Sequence, residues 1–466
     1  MATVTFYGAA QEVTGSCHLV TAPAIGRILL DCGMHQGGDL TDRVQSEQFA
    51  FDPTGIDAVI LSHAHLDHSG MLPKLVRQGF KGPIYCTHAT RDLLRIMLND
   101  SVGLYQRDLE RENLRLKRSG KKPIKAEYTQ TDVNKVLKQC ETVSYRKPLS
   151  IKGGTVSFHD AGHILGSSIV ELKFTDKQQE KTLVFSGDLG NNDSVLMNEH
   201  AVLEQADIVI MESTYGDRNH RSKGDTLSQL ETILNDTWDR GGSIMIPAFA
   251  VGRTQEILFH LGCLFYDGKL QNWEIFLDSP MAIEVTKVYD RWLHLLDDKD
   301  IKCLSDNDRS SLEKFLPALN LAVTPAESMA INRIRKGAII IAGSGMCTGG
   351  RIRHHFKHRI WQRSNTVIFT GFQARGTLGR MLVDGVKNIR LFNEDIAIKS
   401  RIETLGGFSA HTGQDGLVHW ASAFRNQPQL VLVHGESGAL DSLAERLWQE
   451  RQIKARIPEP GQSIAF

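Results

Sequence analysis

The chain has 466 residues, 41% hydrophobic and 23% charged, an ordinary globular composition long enough for two or three domains. Lys+Arg and Asp+Glu both number 54, and this zero balance excludes a protein that coats polyanions with its whole surface, while leaving a local basic groove open. The seven cysteines stand singly without a CxxC pair, which argues against a disulfide framework or a cysteine zinc site, and neither a bilayer-length apolar run nor a secretory leader is visible, so the expected location is the cytoplasm.

Strand-like runs come first, at Val4–Tyr7, His18–Thr21, Ile28–Asp31 and Ala58–Leu61, with glycine-containing breaks between them. A histidine-rich loop follows the last of these. Gly70–Gln78 reads as a helix, and a longer amphipathic helix runs from Thr90 to about Arg118, with Leu93, Leu94, Met97 and Leu98 near its start. The charged stretch Arg107–Lys125 at its end reads as a solvated face or tip. Strands return at Val156–His159, Ile169–Phe174 and Leu183–Ser186.

From Ile208 the texture changes. Short apolar strands at Ile208–Met211, Ile244–Pro247, Ile275–Leu277, Ile339–Ala342 and Val367–Thr370 alternate with helical stretches, the signature of a parallel α/β sheet. A further strand near Ala397–Thr404, a helix, and a strand Leu430–Val433 ending at His434 close the chain. The expected domains are residues 1–205, an inserted 206–393, and 394–466, in which the outer pieces join.

The strongest chemical signal is Ser62-His63-Ala64-His65-Leu66-Asp67-His68, directly after a strand. In such a loop alternate side chains diverge around two nearby points: His63 and His65 can serve one metal, Asp67 and His68 a second. Neutral imidazole with carboxylate suits zinc better than a hard cation. One zinc activates water near neutral pH, and a second clamps the far side of an in-line displacement at phosphorus. The bland alternative is a polar surface loop. It loses ground because His163, after the strand ending at His159, and Asp188, at the end of another strand, supply further ligands, although each alone reads as structural.

The set resembles the metallo-β-lactamase superfamily: Asp31 in Leu29-Leu30-Asp31-Cys32-Gly33 matches its first motif, His63, His65, Asp67 and His68 the second, His163 the third and Asp188 the fourth. The resemblance implies an αββα sandwich with metals at one rim. It implies a first zinc held by His63, His65 and His163, a second by Asp67 and His68, Asp188 bridging them, and Asp31 orienting the histidine loop. His65 favours zinc over the di-iron branch, which usually has Glu there.

Four more features resemble the β-CASP nucleic-acid-processing branch along essentially the whole chain. Glu212 in Met211–Gly216 matches its motif A, His411 in Phe408–Thr412 its motif B, His434 in Leu432–Glu436 its motif C, and Ile246–Arg253 lies in the inserted segment. This implies a sandwich interrupted by a parallel-sheet α/β domain. It adds His434 to the second zinc and makes His411 the acid for the leaving oxygen, with Glu212 as its partner. The catalytic candidates are therefore Asp67, His411, Glu212 and Asp31. His434, where DNA-processing members tend to carry an aliphatic residue, resembles the RNA-processing type, and Pro247–Arg253 with Gly343–Met346 resemble the cleavage-and-polyadenylation endonuclease branch and its bacterial relatives more than the bacterial ribonuclease J branch.

The implied function is a two-zinc ribonuclease acting on single-stranded RNA in a cleft between domains, internally or from the 5′ end, as a possible homodimer. Candidate substrate contacts are Ser409, Arg253, Ser344, Gly345 and Arg351. The glycine cluster Gly343–Gly350 reads equally as a phosphate cradle or as a tight turn. Phe372 reads as core rather than a base-stacking ring, and the basic run His354–Arg359 as a solvated helix face. His18, His35, His88, His159 and His220 are expected to be structural or superficial. Competing readings are a thioester, lactone or lactam hydrolase, which lacks the inserted segment, a non-catalytic RNA-binding subunit, which loses ligands, and a DNA nuclease.

Overall fold

The structure is a computed structural model and describes residues 1–35, 40–270, 272–306, 311–371 and 373–466; Phe372 lies outside them. The described chain forms two compact units. One comprises Met1–Asn192, Asn198–Asn219 and His411–Phe466, the other Asp193–Met197 and His220–Ala410.

The first unit contains two seven-stranded sheets. The order in one is Ser463–Ala465, Thr3–Gly8, Cys17–Ala22, Gly26–Leu30, Ala58–Ile60, Ile84–Thr87, Cys140–Val143; in the other it is Ala455–Arg456, Gln429–Leu432, Ile208–Met211, Gln179–Phe185, Ser168–Asp176, Gly154–Asp160, Leu149–Ile151. Alternation along Thr3–Gly8 sends Val4 and Phe6 inward. They meet Val20, Ile28 and Leu30 from their own sheet and Phe158, Leu172 and Phe185 from the other, in one apolar layer. Helices cover the outer faces. Leu417, Trp420, Leu440 and Leu447 pack on one sheet, and the helix His88–Arg118 packs on strands Ile84–Thr87 and Cys140–Val143 of the other. This is the expected αββα sandwich.

The second unit is built on a six-stranded, all-parallel sheet ordered Leu319–Leu321, Glu274–Leu277, Ala338–Ala342, Ile244–Pro247, Thr366–Phe369, Arg401–Thr404. Apolar clusters cover both faces, one containing Ile244, Ile246, Leu258 and Ile339, the other Met245, Phe356, Val367 and Phe369. Burial on both faces explains why these strands read as continuous apolar runs.

Two elements differ from the reading of the sequence. Ile208–Met211, grouped by texture with the second unit's strands, pairs in the sandwich between Gln179–Phe185 and Gln429–Leu432. Ile208 and Ile210 face the inter-sheet core while Val209 and Met211 face the outer helices, and a strand buried twice looks alike in either sheet. The stretch Ala397–Thr404 is two strands: Glu394–Ala397 pairs with Asn388–Leu391 as a hairpin, and Arg401–Thr404 is an edge of the parallel sheet.

The sandwich brings loops into close backbone register. Ser16 N donates to the Asp67 carbonyl at 2.8 Å, Gly33 N to Ser16 O at 2.8 Å, and Cys32 N to His68 O at 2.8 Å. A Cβ on Gly33 would overlap the Asp67 carbonyl. Gly33→Ala is therefore expected to destabilise the fold by about 1–3 kcal/mol, read by urea unfolding with an unchanged slope. An unshifted midpoint would show that the loop yields freely.

Candidate metal centre

Asp31 follows the strand Gly26–Leu30 with φ +57°, a left-handed conformation uncommon for a residue with a side chain. The turn buries its carboxylate completely. Oδ1 accepts from Ser62 N at 2.7 Å, and Oδ2 accepts from Ser62 Oγ at 2.9 Å, Ser16 Oγ at 3.2 Å and His68 Nδ1 at 2.7 Å.

These bonds fix tautomers. Because Ser62 Oγ gives its proton to Asp31, it accepts from His63 Nδ1 at 3.0 Å, and the His63 Nε2 lone pair points the other way. His68 donates through Nδ1 to Asp31 and likewise presents Nε2. Thr214 Oγ1 donates to the His434 carbonyl at 3.3 Å, accepts from His434 Nδ1 at 3.2 Å, and so turns that Nε2 outward. His434 is also left-handed, with φ +52°, and its N donates to Ala9 O at 2.7 Å.

The presented atoms converge on two points. Around the first, His63 Nε2 and His163 Nε2 lie 3.1 and 3.3 Å from His65 Nδ1, and both lie 3.4 Å from Asp188 Oδ2. Around the second stand Asp67, His68 and His434, with His434 Nε2 3.8 Å from Asp67 Oδ2. Asp188 reaches toward this group as well, its Oδ1 3.3 Å from His68 Nε2 and 3.7 Å from His434 Nδ1.

The donors fit zinc. Nitrogens about 2.0–2.1 Å from a tetrahedral zinc stand about 3.3 Å apart, which matches the first group. His68 Nε2, His434 Nε2 and Asp188 Oδ1 are buried and have no hydrogen-bond partner among the described residues, as expected of atoms that face a cation. Burial pushes His63 well below and His65 below the ordinary imidazole range, so both are in the neutral, ligating form. Burial opposes charge on Asp188, but His68, His434 and His411 hold it well below the usual carboxylate range. His68 is also buried, yet Asp188 and Asp31 raise it well above its usual value, so its outer nitrogen faces a place that favours positive charge.

His411 lies beside this centre. Its Nδ1 donates to Glu212 Oε1 at 3.1 Å, and its Nε2 is 3.9 Å from Asp188 Oδ2. Glu212 is fully buried; its carboxylate also accepts from Leu189 N at 2.7 Å and Thr214 N at 3.2 Å. Burial lowers the affinity of His411 for a proton, but Glu212 and Asp188 outweigh it and raise its pKa to about 9.

The expected substrate contacts Ser409, Arg253, Ser344, Gly345 and Arg351 belong to the second unit. Arg351 donates to Asp278 at 2.6 Å and to the carbonyls of Ala322 and Val323 at 2.8 Å each, while buried Arg253 pairs with Glu256. Ser344 Oγ accepts from Gly349 N at 3.2 Å, Gly345 packs under the Phe249 ring, and Ser409 is nearly buried. The helix Ile352–Arg359 is not merely a solvated face: His355 is buried on Asp278 at 2.7 Å and Arg359 is buried on the Ile331 carbonyl. His18 sits between Phe6 and Phe185, where burial lowers it to about 3. The sequence reading missed Ser16, Ser62 and Thr214; only the place of Ser62 immediately before the histidine motif hinted at a role.

Family profiles match along the chain: the metallo-beta-lactamase superfamily over residues 11–243, the Beta-Casp domain over 254–382, and the Zn-dependent metallo-hydrolase RNA specificity domain over 395–458. Ribonuclease TTHA0252 of Thermus thermophilus is 37% identical over 95% of both chains. An RNase J-like protein of Methanocaldococcus jannaschii is 32% identical over 99% of both, and the transcription termination factor FttA of Methanosarcina mazei is 30% identical over 97% of this chain and 70% of its own. A crystal structure of a protein of unknown function from Enterococcus faecalis V583 shares the fold, with a TM-score of 0.55 at 15% identity over 99% of each chain. The chain belongs to the β-CASP ribonuclease family of the metallo-β-lactamase superfamily.

Proposed function

We propose that the protein is a two-zinc ribonuclease that hydrolyses single-stranded RNA to 5′-phosphate and 3′-hydroxyl products. The observation that carries this reading is one buried carboxylate, Asp188, set between two ligand groups, with the His411–Glu212 pair beside it. His63, His65 and His163 would hold one zinc, Asp67, His68 and His434 the other, and Asp188 would serve both. Zinc held there supplies an activated water and neutralises charge that develops on the phosphate.

The chain's own groups do the rest. Glu212 holds the His411 proton on Nδ1 and keeps the ring charged at neutral pH, so Nε2 delivers a proton to the departing 3′ oxygen. Asp31 acts through Ser62 and His68, keeping ligand nitrogens aimed inward, and is a positioning residue. Asp67, 13% exposed, is a ligand that incoming water can reach. Ser409, Arg253, Ser344, Gly345 and Arg351 are proposed to shape the RNA path, Arg351 and Arg253 by bracing backbone rather than by touching phosphate. A cytoplasmic location is part of this proposal, and a homodimer is one assembly it admits. Among the described residues no helix is long and apolar enough to cross a membrane. His434 favours RNA over DNA as the substrate.

The direct test uses end-labelled single-stranded RNA and the matching DNA, with a His65→Ala control and zinc added, then chelated. RNA cutting that requires zinc and His65 is expected, and the product ladder separates internal from stepwise cleavage. Two bound zincs with neither polymer cut would sink the nuclease reading.

Asp31→Asn should weaken zinc binding by about 10–100-fold in competitive chelator titration, because the His68 and Ser62 orientation is lost. Full affinity in this variant would remove Asp31 from its positioning role. Protonated His411 persists below about pH 9, so cleavage should decline as pH rises through that value. Glu212→Gln should move this alkaline limb down by about 1–3 units; an unmoved limb would assign it to another group.

A further inference from the structure

The helix His88–Arg118 begins beside the metal centre. Thr87 Oγ1 and Thr90 Oγ1, at its first turn, both donate to the Gly166 carbonyl at 2.7 Å, in the loop that carries His163. Its 31 residues, rising about 1.5 Å each, carry its far end about 45 Å away.

That far end is strongly positive. Residues 114–125 contain Arg115, Lys117, Arg118, Lys121, Lys122 and Lys125 and no acid, leaving 48 basic against 54 acidic side chains in the rest of the chain. All six are exposed. Arg115 pairs with Glu112, whereas no ion pair among the described residues engages the other five. The tip is also well built. Asn113 brackets Ile124, donating to its carbonyl at 3.0 Å and accepting from its N at 2.7 Å, Lys121 N donates to Leu116 O at 2.9 Å, and Gln45 holds the Lys125 carbonyl at 2.9 Å. Folding a polar turn back onto its helix concentrates like charges at a cost in repulsion, which a bound polyanion relieves.

We propose that this tip is an RNA-backbone anchor remote from the cutting centre, which captures phosphates of long substrates and takes no part in the chemistry. The proposal rests on the ribonuclease reading above. Strand rise of about 3.4 Å per nucleotide puts tip and centre about a dozen stacked nucleotides apart, so only longer RNA can engage both. A chain whose remainder is net negative would otherwise repel its substrate, and the tip offers the local attraction that zero overall charge conceals.

The test compares wild type with a Lys117→Gln/Arg118→Gln/Lys121→Gln variant on RNA of about 30 nucleotides and on a pentanucleotide, by cleavage kinetics and by fluorescence anisotropy over a salt series. Each single-strand phosphate contact adds about 0.7 to the log–log salt slope, so losing three should lower it by about 2 and raise KM on the long RNA at least about tenfold at low salt. kcat and the pentanucleotide rate should stay unchanged, as should zinc content and unfolding midpoint. Unchanged long-RNA binding, as expected if the tip instead meets an acidic protein, overturns the anchor. So does an equal loss on the pentanucleotide. Wild-type protein that binds long RNA through the tip yet cuts none would refute the ribonuclease reading while leaving the anchor standing.

Discussion

Two oxygens of Asp31 receive four hydrogen bonds inside a fully buried turn, and the metal centre hangs from them. A carboxylate removed from water is costly unless its lone pairs are filled. Here the donors that fill them are also the groups that orient His63 and His68. Burial and orientation are thus one requirement, since loss of the Ser62 or His68 bond would leave an uncompensated charge as well as release a ligand. The left-handed backbone at Asp31 is the local strain that lets a strand end turn its carboxylate under the histidine loop.

Charge balance extends the same constraint. Asp31, Asp67, Asp188 and Glu212 put four carboxylates in one small volume, three of them essentially without solvent. Six imidazoles surround them, yet His63 and His65 are held neutral by burial, so protons cover only part of the charge. The proposed two divalent ions match the four carboxylates in charge, leaving the proton on His411 as the mobile positive charge. Among the described residues one buried oxygen of Asp188 has no hydrogen-bond partner, a poor arrangement for stability and a good one for binding metal. The fold has accepted local instability where function needs it.

Much of this was legible in the sequence because the ligands are chemically rare and sit at recognisable places: His63, His65, Asp67 and His68 within six residues, and Asp188, Glu212 and His434 each just past an apolar strand. What escaped is chemically common. Ser16, Ser62 and Thr214 are hydroxyls like any others until the fold sets them against a carboxylate or an imidazole. Arg351 beside a glycine cluster suggested phosphate recognition, but nothing local to it reveals Asp278, seventy-three residues earlier, as its partner. Ile208–Met211 was visible as a strand, but an all-apolar run does not say which sheet receives it. Chemistry carried by residue type could be read; chemistry carried by long-range pairing could not.

The common element is the strand end. Asp31, His63, Asp188, Glu212 and His434 each follow within three residues of the last residue of a strand, and His163 lies in the short link between two adjacent strands. Strand register fixes these positions, and a slip of one residue would turn core side chains such as Ile208 and Ile210 to the other face. The apolar layer that holds Phe6, Leu172 and Phe185 therefore does more than stabilise the sandwich: it sets the positions of six metal-centre residues drawn from separated parts of the chain. Short links then leave little freedom to relax, so the close nitrogen and carboxylate spacings at Asp188 persist as a property of the sheets. A rigid rim of this kind is preorganised for metal before any metal arrives.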